Sequence, residues 1–395
     1  MTSSTRSLRR TFPRSTVCDA GGDALAELVT GEVRSDDPRS ATGSIVSVGA
    51  GHKAPSREPS EPVAVGVVGL GWWGRALVVA IDRCPELEVV GAVVTNRDGL
   101  SWAHEREIQV YADLPALLAD SRAEAVIIAT PNSLHGHLSV MAAASGRHVF
   151  CEKPLALTHA EAVATIDACR SAGVVLGVGH EIRFEQPVRE ILTLAHEGQL
   201  GDIVQFDAVL SHDLFTELAE DHWRLSLAEA PAGPLTSTGV HMVDLSVALL
   251  GTPQSATAHL HRPGATGTLS VLATFANGAC ALIGASAVTP FHMRLAVYGT
   301  RGWAEAASRP NPAHAGNEWR LTTSIGNTGW TTGEYVEETG VRENLKAFAA
   351  AVRGRAVYPM SATEMVDTVA LMEAIARSAD RGGVVEAVRL DRTTL

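Results

Sequence analysis

The sequence predicts an α/β protein with an N-terminal Rossmann domain, built on a doubly wound parallel sheet, and a C-terminal α/β domain with an open, mostly antiparallel sheet. Three observations carry this prediction. Between residues 62 and 184, short apolar strands alternate with helix patterns, as in a parallel sheet. From residue 203 onward, several strand-like runs follow one another. The chain also has 395 residues, which is enough for two domains.

The first 61 residues differ from the rest of the chain. They are rich in Ser, Thr, Arg, Gly and Pro and have little periodic apolar pattern, although residues 23–30 allow a short helix. We predict a disordered or weakly structured tail over residues 1–61. A Rossmann domain over residues 62–184 and a substrate-binding and oligomerisation domain over residues 185–395 are predicted to follow it.

The composition suits a folded protein whose partner is a small molecule. With 32 basic and 44 acidic side chains, the net charge of −12 disfavours binding of nucleic acid or of an anionic membrane through the whole surface. No apolar run approaches the roughly 18 residues of a membrane span. The five cysteines form no CxxC pair and no cluster at metal-ligand spacing, so we predict no metal site and reduced thiols in a cytoplasm.

A glycine-rich turn follows the first predicted strand, a β-branched run over residues 63–68, and leads into an apolar helix pattern. In this context Gly69 permits the tight turn, Gly71 lets the backbone approach a pyrophosphate, and Gly74 allows the helix to pack closely on the strand. The alternative is a glycine-rich turn without a ligand. The predicted cofactor-binding residues of this turn are Gly69, Gly71, Trp72, Trp73 and Gly74.

The end of the second predicted strand indicates which dinucleotide binds. Asn96 stands 22 residues after Gly74, where an NAD-specific protein usually has a carboxylate for the ribose diol. Asn96, flanked by Thr95 and Arg97, can instead bind a 2′-phosphate without repelling it. The sequence therefore favours NADP over NAD. There are two alternatives to this preference for NADP. Asp98 can reach the ribose, or Arg97 can stack on the adenine.

A second polar loop follows a later strand. Residues 125–130 form a buried apolar run and lead through Pro-Asn-Ser-Leu-His into another helix pattern. Because loops at the carboxyl ends of parallel strands carry the site, we expect this loop to line the cofactor. For the histidine, the alternative is a polar residue at a helix start. The candidate residues are Thr130, Pro131, Asn132 and His135.

Lysine is rare in this chain, and one lysine follows a buried strand. Of the 32 Lys and Arg residues, only Lys53, Lys153 and Lys346 are lysines. A partly desolvated lysine beside a cofactor has a lowered pKa and exchanges protons, which arginine cannot do. We predict that Lys153 is catalytic and that Glu152 orients it, with a cis bond possible before Pro154. The alternative is a solvated lysine at a strand end.

Strand-like runs dominate the second domain, and Asn277–Gly278 between two of them is a hairpin signal. The runs cover residues 203–210, 256–262, 268–275, 279–286 and 294–298. Near the end of the chain, Ser361 and Glu364 form a capping box that predicts a helix. The predicted core face of that helix consists of Met365, Val366, Val369, Met372 and Ile375.

One segment of the second domain carries polar residues at helical spacing. If the chain is helical from Thr236, then Ser237 and His241 lie on one face, and Asp244 is three residues further on. Such convergent groups are typical of a substrate site. The alternative for His241 is a satisfied histidine in the core.

Further pocket candidates lie in the motifs His-Glu-Ile-Arg-Phe, over residues 180–184, and Ser-His-Asp, over residues 211–213. The pair Trp223 and Arg224 is another. The forked donors of Arg183 and Arg224 can hold a carboxylate or several hydroxyls. Either arginine can equally form an inter-domain ion pair.

Several ordered motifs resemble the Gfo/Idh/MocA oxidoreductases, a family of NAD(P)-dependent sugar, cyclitol and diol dehydrogenases. The resemblance runs from about Val63 to about Ala379. The motifs that carry it are GLGWWGR from Gly69, ATPNSLH from Ala129, GRHVFCEKPLA from Gly146, Arg183-Phe184 with Pro187, GQLGDI from Gly198 and GVHMVD from Gly239.

The resemblance implies that Lys153 faces the nicotinamide and the substrate, and that His241 takes part in proton transfer with the substrate hydroxyl. It also implies an open sheet that serves in oligomer contacts. Many relatives carry Asp four residues before this histidine, whereas this sequence has Ser237. Either His241 is less basic here, or a different acid orients it.

Together these observations predict a dehydrogenase or reductase that transfers a hydride between NADP or NAD and a secondary alcohol or carbonyl of a sugar, cyclitol or related polyol. A homo-oligomer, dimer or tetramer, is expected. The alternatives are a dihydrodiol dehydrogenase acting on an aromatic-acid cis-diol, an NAD-dependent glycoside hydrolase of related fold, and a non-catalytic NADP(H)-binding sensor. The predicted catalytic residues are Lys153 and His241, and the predicted substrate-binding residues are Arg183, Trp223, Arg224, Ser237, His241 and Asp244.

Overall fold

The computed structural model of the chain describes residues 61–261, 266–310, 317–326, 328–336 and 340–390. The predicted tail, apart from Glu61, and the short helix predicted over residues 23–30 lie outside the described residues. The described residues form two sheets that belong to one compact unit.

The first sheet is parallel and has six strands. They are β1 Val63–Val68, β2 Leu87–Val93, β3 Val110–Tyr111, β4 Ala125–Ile128, β5 His148–Glu152 and β6 Leu176–Gly179. Their order in space is β3-β2-β1-β4-β5-β6. This is the strand order of a Rossmann fold, so the predicted doubly wound sheet is confirmed. Strand β1 is buried along its whole length, because helices cover both faces of such a sheet.

Five helices connect these strands. They are α1 Trp72–Ile81, α2 Arg97–Glu105, α3 Leu114–Ala119, α4 His135–Ala144 and α5 His159–Ala172. Side chains satisfy free backbone N–H groups at several of their N-termini. Asn96 and Asp113 cap α2 and α3, and Thr158 with Glu161 forms a capping box at α5.

The second sheet has nine strands and is open. They are β7 Ile203–Ser211, β8 Pro253–His261, β9 Thr268–Phe275, β10 Cys280–Ser286, β11 His292–Gly299, β12 Gly302–Pro310, β13 Asn317–Ile325, β14 Thr331–Tyr335 and β15 Glu386–Ala387. Their order is β14-β13-β12-β11-β7-β10-β9-β8-β15. Among the neighbouring pairs described, β7 and β10 run parallel and the others antiparallel, which confirms the predicted mostly antiparallel sheet.

Four further helices follow in the chain. They are α6 Gln186–His196, α7 Gly239–Leu250, α8 Gly340–Val352 and α9 Ala362–Asp380. Helix α9 begins with the predicted capping box, and its predicted core residues are all buried. Helices α7 and α9 pack on the second sheet. None of the described helices is long and apolar enough to cross a membrane.

Helix α8 packs on the first sheet, although it lies far beyond the predicted boundary at residue 184. Phe348 stacks edge-on against Phe150 of β5, with ring centroids 5.5 Å apart. The Asn344 side chain donates a hydrogen bond of 2.9 Å to the carbonyl of Val178 in β6. The late part of the chain therefore returns to complete one face of the Rossmann sheet.

Candidate active site

A cavity of about 730 Å³ lies at the carboxyl ends of the strands of the first sheet, facing the second domain. Its first wall comes from α1 and from the loops after β4, β5 and β6. The opposite wall comes from the end of β7, from residues 223–224 and from the segment that leads into α7. Ligands of doubly wound sheets bind at this edge, so the cavity is where a cofactor and a substrate can meet.

The two tryptophans of the glycine-rich motif line this cavity, and the glycines of the motif lie beside them in the chain. Gly69 has φ of +95°, and an added Cβ would lie 2.5 Å from the carbonyl oxygen of Ala129. A Cβ on Gly74 would collide with the carbonyl oxygen of Gly69. At Gly71, by contrast, no atom lies within 4 Å of an added Cβ. The open space above Gly71, at the N-terminus of α1, fits a dinucleotide pyrophosphate.

The residues expected near the ribose lie at the end of β2. Asn96 accepts a hydrogen bond of 2.6 Å from the backbone N–H of Gly99 and thereby caps α2. Thr95 and Arg97 are exposed on either side of it. These two exposed side chains, with no carboxylate at residue 96, are compatible with a 2′-phosphate.

The loop after β4 is tied to the rest of the site by its polar side chains. The buried ring of His135 lies 2.7 Å from the carbonyl oxygen of Pro154 and 3.0 Å from that of Thr130. Asn132 donates a hydrogen bond of 2.7 Å to the carbonyl of Glu229. Asn132 and His135 line the cavity, and these contacts hold the loop against Pro154 and the loop around Glu229.

Lys153 enters the cavity directly after β5, and the peptide bond between it and Pro154 is cis. Its Nζ donates a hydrogen bond of 3.0 Å to the backbone carbonyl of Ser237. Burial lowers the pKa of Lys153, and the charge of Arg224 lowers it further, against the opposing charges of Glu181 and Glu152. The pKa of Glu152 is itself raised, to about 7, by burial. A lysine whose pKa is lowered in this way exchanges protons more readily than a solvated lysine.

The prediction that Ser237 and His241 share one helical face is wrong. Helix α7 begins at Gly239, and Ser237 lies before it. The Ser237 hydroxyl donates a 3.4 Å hydrogen bond to the carbonyl of Pro234, while the Ser237 carbonyl accepts from Lys153. Helix geometry therefore does not pair Ser237 with His241, although both residues line the cavity.

A carboxylate from a different part of the chain lies beside His241. Glu181, in the short turn after β6, places its Oε1 3.6 Å from Nε2 of His241. Burial raises the pKa of Glu181, and the charge of Lys153 opposes that shift. The sequence had indicated the motif around residues 180–184 as a pocket candidate. It contained no signal that the carboxylate of that motif meets a histidine 60 residues later.

Burial keeps the histidines around the site neutral. The pKa of His241 lies well below its ordinary value, chiefly through burial, and nearby Lys153 lowers it further. The pKa values of His180 and His212 are lowered to about 4, again chiefly by burial. The Nδ1 atoms of all three have no hydrogen-bond partner among the described residues. At neutral pH, His241 is thus a neutral donor and acceptor.

The structure pairs Arg183 and Asp244, both predicted to bind substrate, with each other. Arg183 Nε lies 2.6 Å from Asp244 Oδ2, and Nη2 lies 2.9 Å from Oδ1. A third hydrogen bond, of 2.9 Å, joins Arg183 Nη1 to Glu364. Both Arg183 and Asp244 are buried, and neither lines the cavity, so the ion-pair alternative holds for Arg183.

Trp223 and Arg224 do line the cavity. The guanidinium carbon of Arg224 lies 4.2 Å from the ring centroid of Trp223 and 5.9 Å from that of Phe215. Phe215 was not predicted as a site residue, and it belongs to a cluster of aromatic rings on this wall. Arg224 therefore differs from Arg183 in facing the open site.

Family models match both parts of the chain. A model described as an oxidoreductase family with an NAD-binding Rossmann fold matches residues 63–180, and a GFO/IDH/MocA C-terminal domain model matches residues 188–305. The chain belongs to the Gfo/Idh/MocA family. The predicted resemblance is thereby confirmed.

Among curated Gfo/Idh/MocA relatives, a D-xylose 1-dehydrogenase (NADP(+)) of Haloferax volcanii is 29% identical over 81% of this chain and 98% of its own length. A 1,5-anhydro-D-fructose reductase of Ensifer adhaerens is 32% identical over 50% of this chain. This match covers only 60% of the length of the reductase. An oxidoreductase of Schizosaccharomyces pombe is 33% identical, and that match covers only 44% of its length.

Solved structures share the fold at lower identity. A levoglucosan dehydrogenase in complex with NADH and levoglucosan has a TM-score of 0.71 and 22% identity, covering 83% of this chain and 99% of that one. The aldose-aldose oxidoreductase of Caulobacter crescentus has a TM-score of 0.71 and 22% identity, covering 82% and 99%. These similarities show that the chain shares the fold of these structures.

Proposed function

We propose that this protein is an NAD(P)-dependent dehydrogenase or reductase that interconverts a secondary alcohol and a carbonyl in a sugar, cyclitol or related polyol. One observation carries the proposal. Lys153, Glu181 and His241 line the same cavity as the two tryptophans of the glycine-rich motif of the Rossmann domain. A proton-exchanging cluster and a dinucleotide site in one cavity are what this reaction requires.

The backbone at Gly71 and the N-terminus of α1 would hold the pyrophosphate, and the loop after β4 would line the nicotinamide half of the cofactor. When bound, the nicotinamide exchanges hydride with the carbon that bears the hydroxyl. The exposed side chains of Thr95 and Arg97, beside Asn96, support a preference for NADP. The Haloferax relative, named for NADP(+), is compatible with that preference.

In the proposed mechanism, Lys153 is the base in the oxidative direction. Its lowered pKa lets the neutral amine at Nζ take the proton of the substrate hydroxyl. The ammonium that forms is held by the carbonyl of Ser237, 3.0 Å away, and by the charge of Glu181. In the reductive direction the same Nζ returns the proton to the carbonyl oxygen.

His241 and Glu181 complete the cluster. The neutral ring of His241 can donate to or accept from the reacting oxygen or its neighbour, and Glu181 at 3.6 Å orients that ring. We propose that Glu181 takes the place of the carboxylate that many relatives carry at the position of Ser237. Glu181 is a positioning residue in this proposal, acting through His241 and Lys153.

The names of relatives support the substrate class. The curated relatives above include a dehydrogenase of D-xylose and a reductase of 1,5-anhydro-D-fructose. Both names describe chemistry at a sugar hydroxyl or carbonyl. A sugar or polyol is therefore the first substrate class to test here.

We also propose a cytoplasmic homo-oligomer. Four described cysteines, Cys84, Cys151, Cys169 and Cys280, are unpaired thiols, as expected in a reducing compartment. On the second sheet, the paired residues Leu272 and Leu282 are 44% and 45% exposed. Side-by-side exposed leucines on an open sheet support an oligomer contact there.

The test is a nicotinamide absorbance screen of sugars, polyols and dihydrodiols with NAD and with NADP, followed by Lys153→Ala. We expect Lys153→Ala to lower kcat by about 100-fold or more while NADPH affinity, read by fluorescence, stays within twofold. Lys346→Ala is the matched control, because Lys346 lies on α8 and pairs with Glu343. Near-normal turnover in Lys153→Ala would overturn the assignment of the base.

Two outcomes would replace the proposed activity with another. Hydrolysis of a glycoside without net cofactor turnover would favour the glycoside hydrolase. Tight NADP(H) binding with no turnover across the whole panel would favour the sensor.

A further inference from the structure

Arg224 is a cation without a counter-charge in the wall of the cavity. No hydrogen bond or ion pair joins its guanidinium to another of the described residues; its recorded contacts are with aromatic rings. The largely buried Arg183 and Arg353 pair with carboxylates, and the buried Arg147 donates to two backbone carbonyls. Because a buried cation without an acceptor is costly, the lack of any acceptor for the Arg224 guanidinium among the described residues indicates a missing anionic partner.

The stacking of Arg224 leaves its hydrogen-bonding edge free. Its guanidinium carbon lies over the rings of Trp223, at 4.2 Å, and Phe215, at 5.9 Å, and these rings accept no N–H···O hydrogen bond. Its N–H donors point outward in the plane of the group, in the fork geometry that matches a carboxylate. The rings also restrict the rotation of the side chain. Arg224 is thus held in place to bind an anion.

Arg224 lies close enough to the proposed base to act on the same ligand. Its charge contributes to the lowered pKa of Lys153, and both side chains line one cavity. Partial burial in the cavity wall lowers the pKa of Arg224 to about 10. An anion placed here would relieve the burial cost of Arg224 and would stabilise the protonated form of Lys153.

We propose that the substrate carries a carboxylate, which Arg224 binds through its fork while Lys153 takes the proton of a nearby hydroxyl. The inference rests on the proposed function and narrows its substrate class to hydroxy acids. The carboxylate of a sugar acid and that of a cyclic hydroxy acid share this chemistry. The aromatic wall formed by Trp223 and Phe215 accepts the apolar face of either ring.

The first test compares acids with neutral partners in turnover. D-Glucuronate is paired with D-glucose, and quinate with myo-inositol, each with NAD and with NADP. We expect at least one acid to exceed its neutral partner about tenfold or more in kcat/KM. Which acid does so distinguishes the sugar acid from the cyclic hydroxy acid. Turnover of the neutral partners alone would overturn this inference and leave the proposed function standing.

The variant Arg224→Gln then assigns the preference to this side chain. We expect the acid-to-neutral ratio of kcat/KM to fall about 10- to 100-fold, mainly through the KM of the acid. Arg320→Gln is the matched control, because it removes the same charge from an exposed arginine that pairs with Glu334. An unchanged ratio in Arg224→Gln would overturn the inference.

A binding measurement tests Arg224 without turnover. Benzoate and benzamide differ in charge but hardly in shape, and tryptophan fluorescence of the NADP-bound protein reports on the cavity. We expect benzoate to bind about tenfold tighter than benzamide, and Arg224→Gln to remove the difference. If this holds while no substrate of the panel is turned over, the anion site stands and the proposed function fails.

Two results of this measurement would overturn the anion site. One is equal binding of benzoate and benzamide to the unaltered protein. The other is a loss of NADPH affinity in Arg224→Gln as large as the loss for benzoate, because Arg224 would then serve the cofactor.

Discussion

The carboxylate of Glu181 lies 3.6 Å from Nε2 of His241, across a separation of 60 residues in the chain. Glu181 follows the last strand of the Rossmann sheet, and His241 lies in the first turn of α7 in the second domain. This pair brings the two domains together at the proposed base, Lys153. It also gives the site a carboxylate, which Ser237 lacks at the position where many relatives carry aspartate.

We expect Glu181→Gln to lower kcat about 10- to 100-fold and to move the pH profile. The charge of Glu181 raises the pKa of Lys153, so its removal lowers that pKa further. Lys153 then becomes neutral at a lower pH, and the acid limb of kcat/KM for alcohol oxidation shifts to lower pH. Steady-state rates from pH 5 to 10 measure this shift. An unmoved limb would contradict the coupling between Glu181 and Lys153.

A second carboxylate position tests the same role. Ser237→Asp in the Glu181→Gln background is expected to restore part of kcat, because residue 237 lines the cavity beside Lys153. The control is Glu181→Gln with Ser237→Asn, which adds the same bulk without the charge. Equal rates in the two double variants would show that the carboxylate does not matter.

Two substitutions in the glycine-rich turn are expected to have different effects, one on the stability of the fold and the other on cofactor affinity. Gly74→Ala forces a Cβ into the carbonyl of Gly69, and we expect a loss of about 1–3 kcal/mol or more in the free energy of unfolding. Gly71→Ala meets no atom within 4 Å, so the fold is retained while the space for the pyrophosphate narrows. Its NADPH affinity is expected to fall about tenfold. Denaturant unfolding and fluorescence titration of both variants check this contrast.

Asp244→Asn is expected to destabilise the fold without redefining the substrate site. It leaves the buried Arg183 with one carboxylate partner fewer, and breaking such a pair costs about 3–5 kcal/mol. Urea unfolding measures the loss. If Asp244→Asn instead keeps its stability and only its KM rises, the result would support the predicted role of Asp244 in substrate binding.

Asn96→Asp is expected to shift the cofactor preference from NADP towards NAD. Aspartate keeps the cap of α2, since it accepts from the N–H of Gly99 as asparagine does. It also adds a charge that repels a 2′-phosphate and accepts from a ribose diol. We expect the NADP-to-NAD ratio of kcat/KM to fall about tenfold. Arg97→Ala should move the ratio the same way, and no change in either variant would contradict the proposed preference.

The prediction from sequence succeeded where local chemistry decides the structure. Strand β1 occupies residues 63–68, as its β-branched run indicates, and Asn277–Gly278 does join β9 to β10. The capping box at Ser361 does start α9. Each signal lies within a few residues of the feature that it predicts, so tertiary contacts had little to alter.

Prediction failed at one local turn and at elements whose position depends on distant parts of the chain. The expected helix from Thr236 begins only at Gly239, because the preceding residues form a separate turn around Pro234. Strands β12 to β14 were not predicted, and they extend the second sheet from β11 by pairing in sequence. Helix α8 packs on the first sheet, although its amphipathic pattern does not specify a partner.

The sequence by itself determined the Rossmann domain, the dinucleotide turn and the family, because glycines and buried strands act through local backbone geometry. It also singled out Lys153. Only the tertiary structure decided that Glu181 lies beside His241 and that Arg183 forms an ion pair with Asp244. It also decided that the guanidinium of Arg224 contacts aromatic rings and pairs with no carboxylate of the described residues. Charge pairing depends on distances of a few ångströms between residues far apart in the chain, and the packing of the two domains sets those distances.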